Sequence, residues 1–387
     1  MNLTWRSKLI HSEARVAEGF RSLASPTYRG STTLFAATAD INDEWDQTRA
    51  PYSYGLYGTP TTFELAARIA ELESGEHCFL TPGGQAAIAL ISFAFANAGG
   101  HILMPDSAYG PNRALANRLL ARFGIETEIY DPLIGGNIGQ LIRSNTRLIW
   151  CESPGSVTME VQDVPAIAAA ARRSGVPTAL DNTYASGVLF DAFRHGVDVT
   201  MQALTKYVGG HSDLLLGSVT VGDRAHYDAI GDAHHLLGMG VSPDDCSLAL
   251  RGLQTLAVRL KHLEESTLAI AHWFAGRPEI ETVLHPALPS CPGHETWRRD
   301  FTGSASVFSV VFRANPSRES IARFIDSLRL FKIGYSWGGV TSLVMPQFEL
   351  TRKYRSYSQG LVRFNVGLED VQDLINDLEG GFAAFRS

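Results

Sequence analysis

Lys206 is where the sequence most clearly offers chemistry. It stands in Ala203-Leu204-Thr205-Lys206-Tyr207-Val208-Gly209-Gly210-His211-Ser212-Asp213, after alternating Val197, Val199, Met201 and Ala203. Alternation with a period of two describes a strand with one face in the core. A lysine at the end of such a strand sits partly out of water, and desolvation lowers an amine's pKa toward working pH. An amine in that state can form a Schiff base with a carbonyl. Taken alone, Lys206 also reads as a snorkelling surface lysine, so a second group has to decide between the two.

Asp181 is that second group. Pro177-Thr178-Ala179-Leu180-Asp181 reads as a short strand ending in an acid, followed by Asn182-Thr183-Tyr184. Pyridoxal phosphate (PLP) takes a lysine at its aldehyde and, in many enzymes, an aspartate at its pyridinium nitrogen. An aspartate at a strand end also serves as a turn or N-cap residue. A lysine and an aspartate at successive strand ends, both among small polar groups, make a narrower pattern. Thr81-Pro82-Gly83-Gly84-Gln85 joins a strand to a helix, where free N–H groups and glycines form an anion site. Arg363 lies in the apolar run Val362-Arg363-Phe364-Asn365. Its burial is costly unless a carboxylate pairs it, from this chain or from a substrate.

Together with Thr205-Lys206-Tyr207 and Gly210-His211-Ser212-Asp213, the Asp181-Asn182-Thr183-Tyr184 segment resembles the PLP-dependent Cys/Met-metabolism family. Glu152-Ser153-Pro154-Gly155-Ser156-Val157-Thr158-Met159-Glu160-Val161 and Tyr335-Ser336-Trp337-Gly338-Gly339 resemble its cystathionine β-lyase branch most. The resemblance runs from about Tyr52 to the C-terminus. It implies an α/β fold of the PLP-dependent transferase type I class (aspartate aminotransferase-like). It also implies roles. Lys206 carries PLP and acts as general base, with Tyr109 or Tyr54 assisting. Asp181 holds the ring nitrogen, and Tyr109 stacks on the ring. Backbone at Gly84 and Gln85, with the Thr205 hydroxyl, binds the phosphate, and Tyr54 reaches the phosphate of a neighbouring subunit. Arg363 takes the substrate α-carboxylate, assisted by the backbone at Ser336 and Trp337. The implied reaction is β-elimination of L-cystathionine to homocysteine, pyruvate and ammonia, in a homotetramer built as a dimer of active dimers.

Two positions depart from the family. Its Tyr-Gly-Arg-x-Gly-Thr segment is Tyr54-Gly55-Leu56-Tyr57-Gly58-Thr59 here, without the arginine, and Thr341 stands where many relatives have Glu. Losing that cation removes repulsion toward a substrate with a cationic far end. A PLP-dependent γ-lyase for canavanine-like amino acids is therefore the alternative. Against it, γ-acting relatives usually carry an Asn-Pro pair within the segment matching Glu152 to Val161. A further alternative is a non-catalytic PLP-binding regulator, but a binding module has little need for both an electron sink and a substrate clamp.

These groups need elements to hold them. Strand-like runs occur at His101–Pro105, Ile125–Tyr130, Arg147–Glu152, Thr178–Asp181, Val199–Leu204 and Leu214–Thr220, with helical stretches such as Val164–Arg173 between several of them. Such alternation predicts a mostly parallel sheet covered by helices, with ligands beyond the carboxyl ends of its strands. Thr61-Thr62-Phe63-Glu64 reads as a capping box, ahead of a helix with Leu65, Ile69 and Leu72 on one face. A long helix from Ser247 to about Phe274, a strand at Ser306–Phe312 and a closing helix with Val371, Leu374, Ile375 and Leu378 predict a smaller α+β domain. The expected division is an N-terminal arm (1–55), a large PLP-binding domain (56–245) and a C-terminal domain (246–387).

Composition bounds the rest. The 387 residues are 45% hydrophobic and 19% charged, which suits a globular protein with a large core. A net charge of −7 argues against nucleic acid or an anionic membrane as partner, and the resemblance implies a small amino acid as the ligand. Met1 to Lys8 lacks a signal peptide's apolar core, and Cys78, Cys151, Cys246 and Cys291 are scattered, so the expectation is a cytoplasmic protein with reduced thiols. His234-His235 is adjacent rather than at i,i+4, and no metal is expected.

Overall fold

The computed structural model describes residues 3–10, 22–46, 48–49, 52–357 and 360–386. Parts of the expected N-terminal arm, namely 1–2, 11–21, 47, 50 and 51, lie outside the described residues.

Two sheets organise the chain. The larger takes β1 (His77–Thr81), β2 (His101–Pro105), β3 (Glu126–Tyr130), β4 (Thr146–Glu152), β5 (Thr178–Asp181), β6 (Val199–Gln202) and β7 (Gly217–Val221), in the order β1-β7-β6-β5-β4-β2-β3. Only β7 runs antiparallel to its neighbours; the other pairs are parallel. Helices α1 (Trp5–Ile10), α2 (Pro60–Leu72), α3 (Gly84–Phe95), α4 (Gly110–Arg118), α5 (Val164–Arg173) and α6 (Arg224–Leu237) belong to this half. The smaller sheet has β8 (Ile280–Leu284), β9 (Val307–Phe312), β10 (Lys332–Ile333), β11 (Leu343–Pro346) and β12 (Leu361–Asn365), ordered β10-β11-β12-β9-β8 and mostly antiparallel. With it come α7 (Pro243–Ala275), α8 (His294–Asp300), α9 (Arg318–Asp326) and α10 (Val371–Arg386). A large, mostly parallel sheet beside a smaller α+β unit is the architecture the sequence predicts.

Three local expectations change. The alternation before Lys206 suggested a half-buried strand reaching that residue. Instead β6 is buried at all four positions and ends at Gln202, because helices cover both faces of a parallel sheet. Lys206 therefore sits in the turn beyond the strand. The capping box lies two residues earlier than expected. Thr59 is the N-cap of α2, its hydroxyl accepts from Thr62 N–H, and the Thr62 hydroxyl accepts from Thr59 N–H. Glu64 instead forms a buried ion pair with Arg68 (2.8 Å). The long helix begins at Pro243 rather than Ser247, since Ser242 caps it and a proline suits the first turn.

The two halves are bolted together beside the lysine turn. Ser306 N–H donates to Tyr207 Oη (2.9 Å), Ser306 Oγ donates to Asn365 Oδ1 (2.8 Å), and Gly338 N–H donates to that same oxygen (2.9 Å). Tyr207 thus ties the turn that carries Lys206 to β9, β12 and the Trp337 loop. Behind this joint, Phe274, Phe308, Phe312, Phe364 and Phe382 fill the core of the smaller half. The four cysteines are free and buried. Among the described residues, no helix is long and apolar enough to cross a membrane, and no cluster of three His, Cys, Asp or Glu side chains could hold a metal. His234 Nε2 donates to Leu80 O (2.7 Å) and braces α6 against β1.

Candidate active site

The carboxyl ends of β4 and β5 and the turn after β6 converge on a cleft of about 350 Å³, lined among others by Glu152, Asp181, Lys206, Tyr109, Trp337 and Arg363. That volume suits a cofactor with a small substrate. The geometry follows from the sheet: Glu152 and Asp181 are register partners at the ends of parallel strands, and both face the crevice where such sheets bind ligands.

Lys206 Nζ donates to Ser336 Oγ and lies 5.4 Å from the centre of the Trp337 ring. Burial, joined by the nearby Arg363 guanidinium, brings its pKa down to about 8, while Asp181 pulls the other way. A lowered amine pKa is what a Schiff-base lysine would need. Arg363 comes in from β12. Its Nη2 donates to Ser336 O (3.1 Å), and among the described residues no carboxylate lies within ion-pair distance of it. The structural ion pair that could have explained a half-buried arginine is absent there, so its remaining donors are free for a ligand's carboxylate.

Asp181 accepts from Thr183 N–H (3.0 Å), and burial pushes its pKa up. Glu152 is also pushed up, well above the ordinary carboxylate range, by burial first and then by Asp181. Two neighbouring carboxyl groups do not both ionise cheaply.

On the opposite side, α3 starts at Gly84 with Gly83 as N-cap and no capping side chain, so its first N–H groups are available to an anion. A Cβ at Gly84 would fall 2.7 Å from Ala203 Cβ, which explains a glycine where backbone must pass that close. Thr205 lines the same end. Its Oγ1 accepts from Leu216 N–H (3.0 Å) and donates to Leu216 O (3.1 Å), and turning that proton toward a phosphate leaves the first contact intact.

The family model for Cys/Met metabolism PLP-dependent enzymes matches residues 6–383. The chain belongs to that family. Cystathionine β-lyase MetC of Escherichia coli K12 is 44% identical over 344 residues, covering 85% of each chain. Cystathionine β-lyase of Haemophilus influenzae is 38% identical over 389 residues, covering 96% of each. Cystathionine γ-synthase from Xanthomonas oryzae pv. oryzae, solved with aminoacrylate and cysteine, superposes with a TM-score of 0.91 at 27% identity, covering 100% of this chain and 99% of that one. The fold is therefore that of the PLP-dependent cystathionine enzymes, and this Cys/Met-metabolism family member is a PLP-dependent enzyme. The residues present fit the cofactor: an amine of lowered pKa, a half-buried carboxylate across from it, and an uncapped helix start where a side chain at Gly84 would not fit.

Of the residues read from sequence, Lys206, Asp181, Gly84, Gln85, Thr205, Tyr109, Trp337 and Arg363 line this one cleft. Ser336 joins them through Lys206 and Arg363. Tyr54 does not line the cleft of its own chain. It is 47% exposed, on a segment that pairs with Thr32 in an isolated bridge. Leu56 and Thr341 also lie off it; Leu56 lines a small crevice with Met239 and Val241. Sequence reasoning noted Glu152 at a strand end but gave it no role. Only its pairing with Asp181 in adjacent strands singles it out.

Proposed function

We propose that this enzyme is a carbon–sulfur lyase that cleaves L-cystathionine by β-elimination to homocysteine, pyruvate and ammonia. The observation that carries the reading is Arg363: a half-buried cation facing Lys206 across the cleft, free of any carboxylate partner among the described residues. An amino acid whose α-carboxylate pairs with Arg363 presents its Cα to Lys206. Bound PLP supplies the electron sink that lets the Cα proton leave and the β-substituent depart. Lys206, neutral in good part near pH 8 (a pKa of about 8), takes that proton as general base. Asp181 would hold the protonated ring nitrogen, and Tyr109 would cover the ring and steer the proton. Gly84, Gln85 and Thr205 would hold the phosphate, while Ser336 and Trp337 present Lys206 and the substrate. Tyr54, off the cleft of its own chain, serves the cleft of a neighbouring copy in a homotetramer.

Identity to the two β-lyases favours β-elimination over synthesis, since the γ-synthase match is more distant. The canavanine reading rests on Leu56 and Thr341 alone, and the relatives above are named for other activities. The deciding experiment is product identity, with PLP-loaded protein given cystathionine and, separately, canavanine. Pyruvate and homocysteine from cystathionine, faster than any canavanine loss, are expected. A four-carbon product from canavanine, with little pyruvate from cystathionine, overturns the proposal.

A further inference from the structure

We propose that Glu152 is a positioning residue of the cofactor site: its carboxyl group anchors the loop that carries Tyr109, and so fixes the ring that covers the cleft. The proposal rests on the PLP site and not on the choice of substrate.

The contact is direct. Glu152 Oε2 accepts from Tyr109 N–H (2.7 Å). Tyr109 is the N-cap of α4 and provides no side-chain cap of its own, so its loop is held from β4. Glu152 is itself held from behind: its N–H donates to Gln162 Oε1 (2.8 Å), and Gln162 Nε2 donates to Tyr130 Oη (3.0 Å). A braced chain thus runs from β3 through Gln162 to the cleft. Glu152 is 8% exposed, lines the cleft, and has no ion-pair partner among the described residues. A buried acid with no direct ion pair needs another reason to be there.

Charge explains how it is tolerated. The titratable groups facing it are Asp181 from β5, Tyr109 from its own loop, Tyr130 from β3, and Arg352 from the segment between β11 and β12. Burial and then Asp181 push the Glu152 carboxyl up, while Tyr109 N–H, Arg352 and Ser156 N–H pull the other way, and the balance favours the protonated acid. A protonated Glu152 still accepts from Tyr109 N–H and adds no second charge beside Asp181.

Glu152→Gln keeps a neutral group with an acceptor oxygen, whereas Glu152→Ala removes the acceptor. PLP binding to the apo-protein is titrated by fluorescence, and the bound cofactor's absorbance is followed against pH. Glu152→Ala is expected to weaken PLP binding about tenfold or more, the loss of one buried hydrogen bond and the order it imposes. Glu152→Gln should bind within about twofold of the parent, with the same absorbance midpoint. In a Tyr109→Ala background, Glu152→Ala should add less than about twofold, since both act through one ring. Parent-like binding by Glu152→Ala, or full additivity with Tyr109→Ala, overturns the positioning role. A Glu152→Gln protein as weak as Glu152→Ala, or with a displaced midpoint, overturns the neutral acid. If Glu152→Ala does not fold by circular dichroism, the Glu152→Gln midpoint still decides. No pyruvate from cystathionine, with these titrations as expected, would fail the proposed substrate and leave Glu152's role standing.

Discussion

Lys206 shows at the scale of one residue how a site costs the fold. Its folded pKa of about 8 lies below its ordinary 10.5. The unfolded chain therefore binds more protons between those values, and stability from this group rises with pH across that window. Below about 8 the full cost of burying a charged amine beside Arg363 falls on the apo-protein. Lys206→Met removes that cost. The apo-protein of this variant should unfold at a higher temperature than the parent near neutral pH. The gain should shrink as pH is raised from about 8 toward 10.5. Thermal unfolding of both apo-proteins across that range checks it, and a gain independent of pH would point to packing instead.

At the scale of elements, the start of α3 makes a contrast within two residues. Gly84 has Ala203 against the place its Cβ would take, at 2.7 Å and backed by backbone at 3.2 Å, while a Cβ at Gly83 meets nothing within 4 Å. Neither needs a left-handed backbone, so the difference is one of space alone. Gly84→Ala should shift α3 from β6, lower the melting temperature by several degrees, roughly 1–3 kcal/mol of overpacking, and weaken PLP binding. Gly83→Ala should leave the melting temperature near the parent's. Calorimetry and equilibrium dialysis with PLP separate the two. The same element explains why the cleft has an anion end at all: an uncapped helix start leaves N–H groups that only a ligand or water can satisfy.

Over the whole molecule, the proposed reaction depends on holding Arg363 of the smaller half against Lys206 of the larger. Tyr207 does this from the residue next to the lysine, with Ser306 N–H donating to its buried hydroxyl (2.9 Å). Tyr207→Phe strands that N–H in the interface, at a cost of about 1–3 kcal/mol. Urea unfolding should show the loss as a lower midpoint with an unchanged slope. An unchanged midpoint would mean that water or Asn365 takes over the contact.

How much of this the sequence carried follows from the range of the forces involved. Apolar runs, glycines at a helix start and motif order are local, so the strands, the parallel sheet, Lys206, Asp181 and the family itself are legible in the order of the residues alone. Even there, short range misleads where two local signals compete. Thr59 rather than Thr61 caps α2, and the lysine strand is buried on both faces. What needed the tertiary structure acts through space. The amine's pKa is lowered by burial and then by Arg363 from a distant strand, and that of Glu152 is raised by burial and then by Asp181 in the neighbouring strand. Tyr54's place off the cleft depends on how its segment packs against Thr32. Residue identity and spacing determined which groups could react. Burial and proximity, which depend on the packed chain as a whole, decided their charge and their partners.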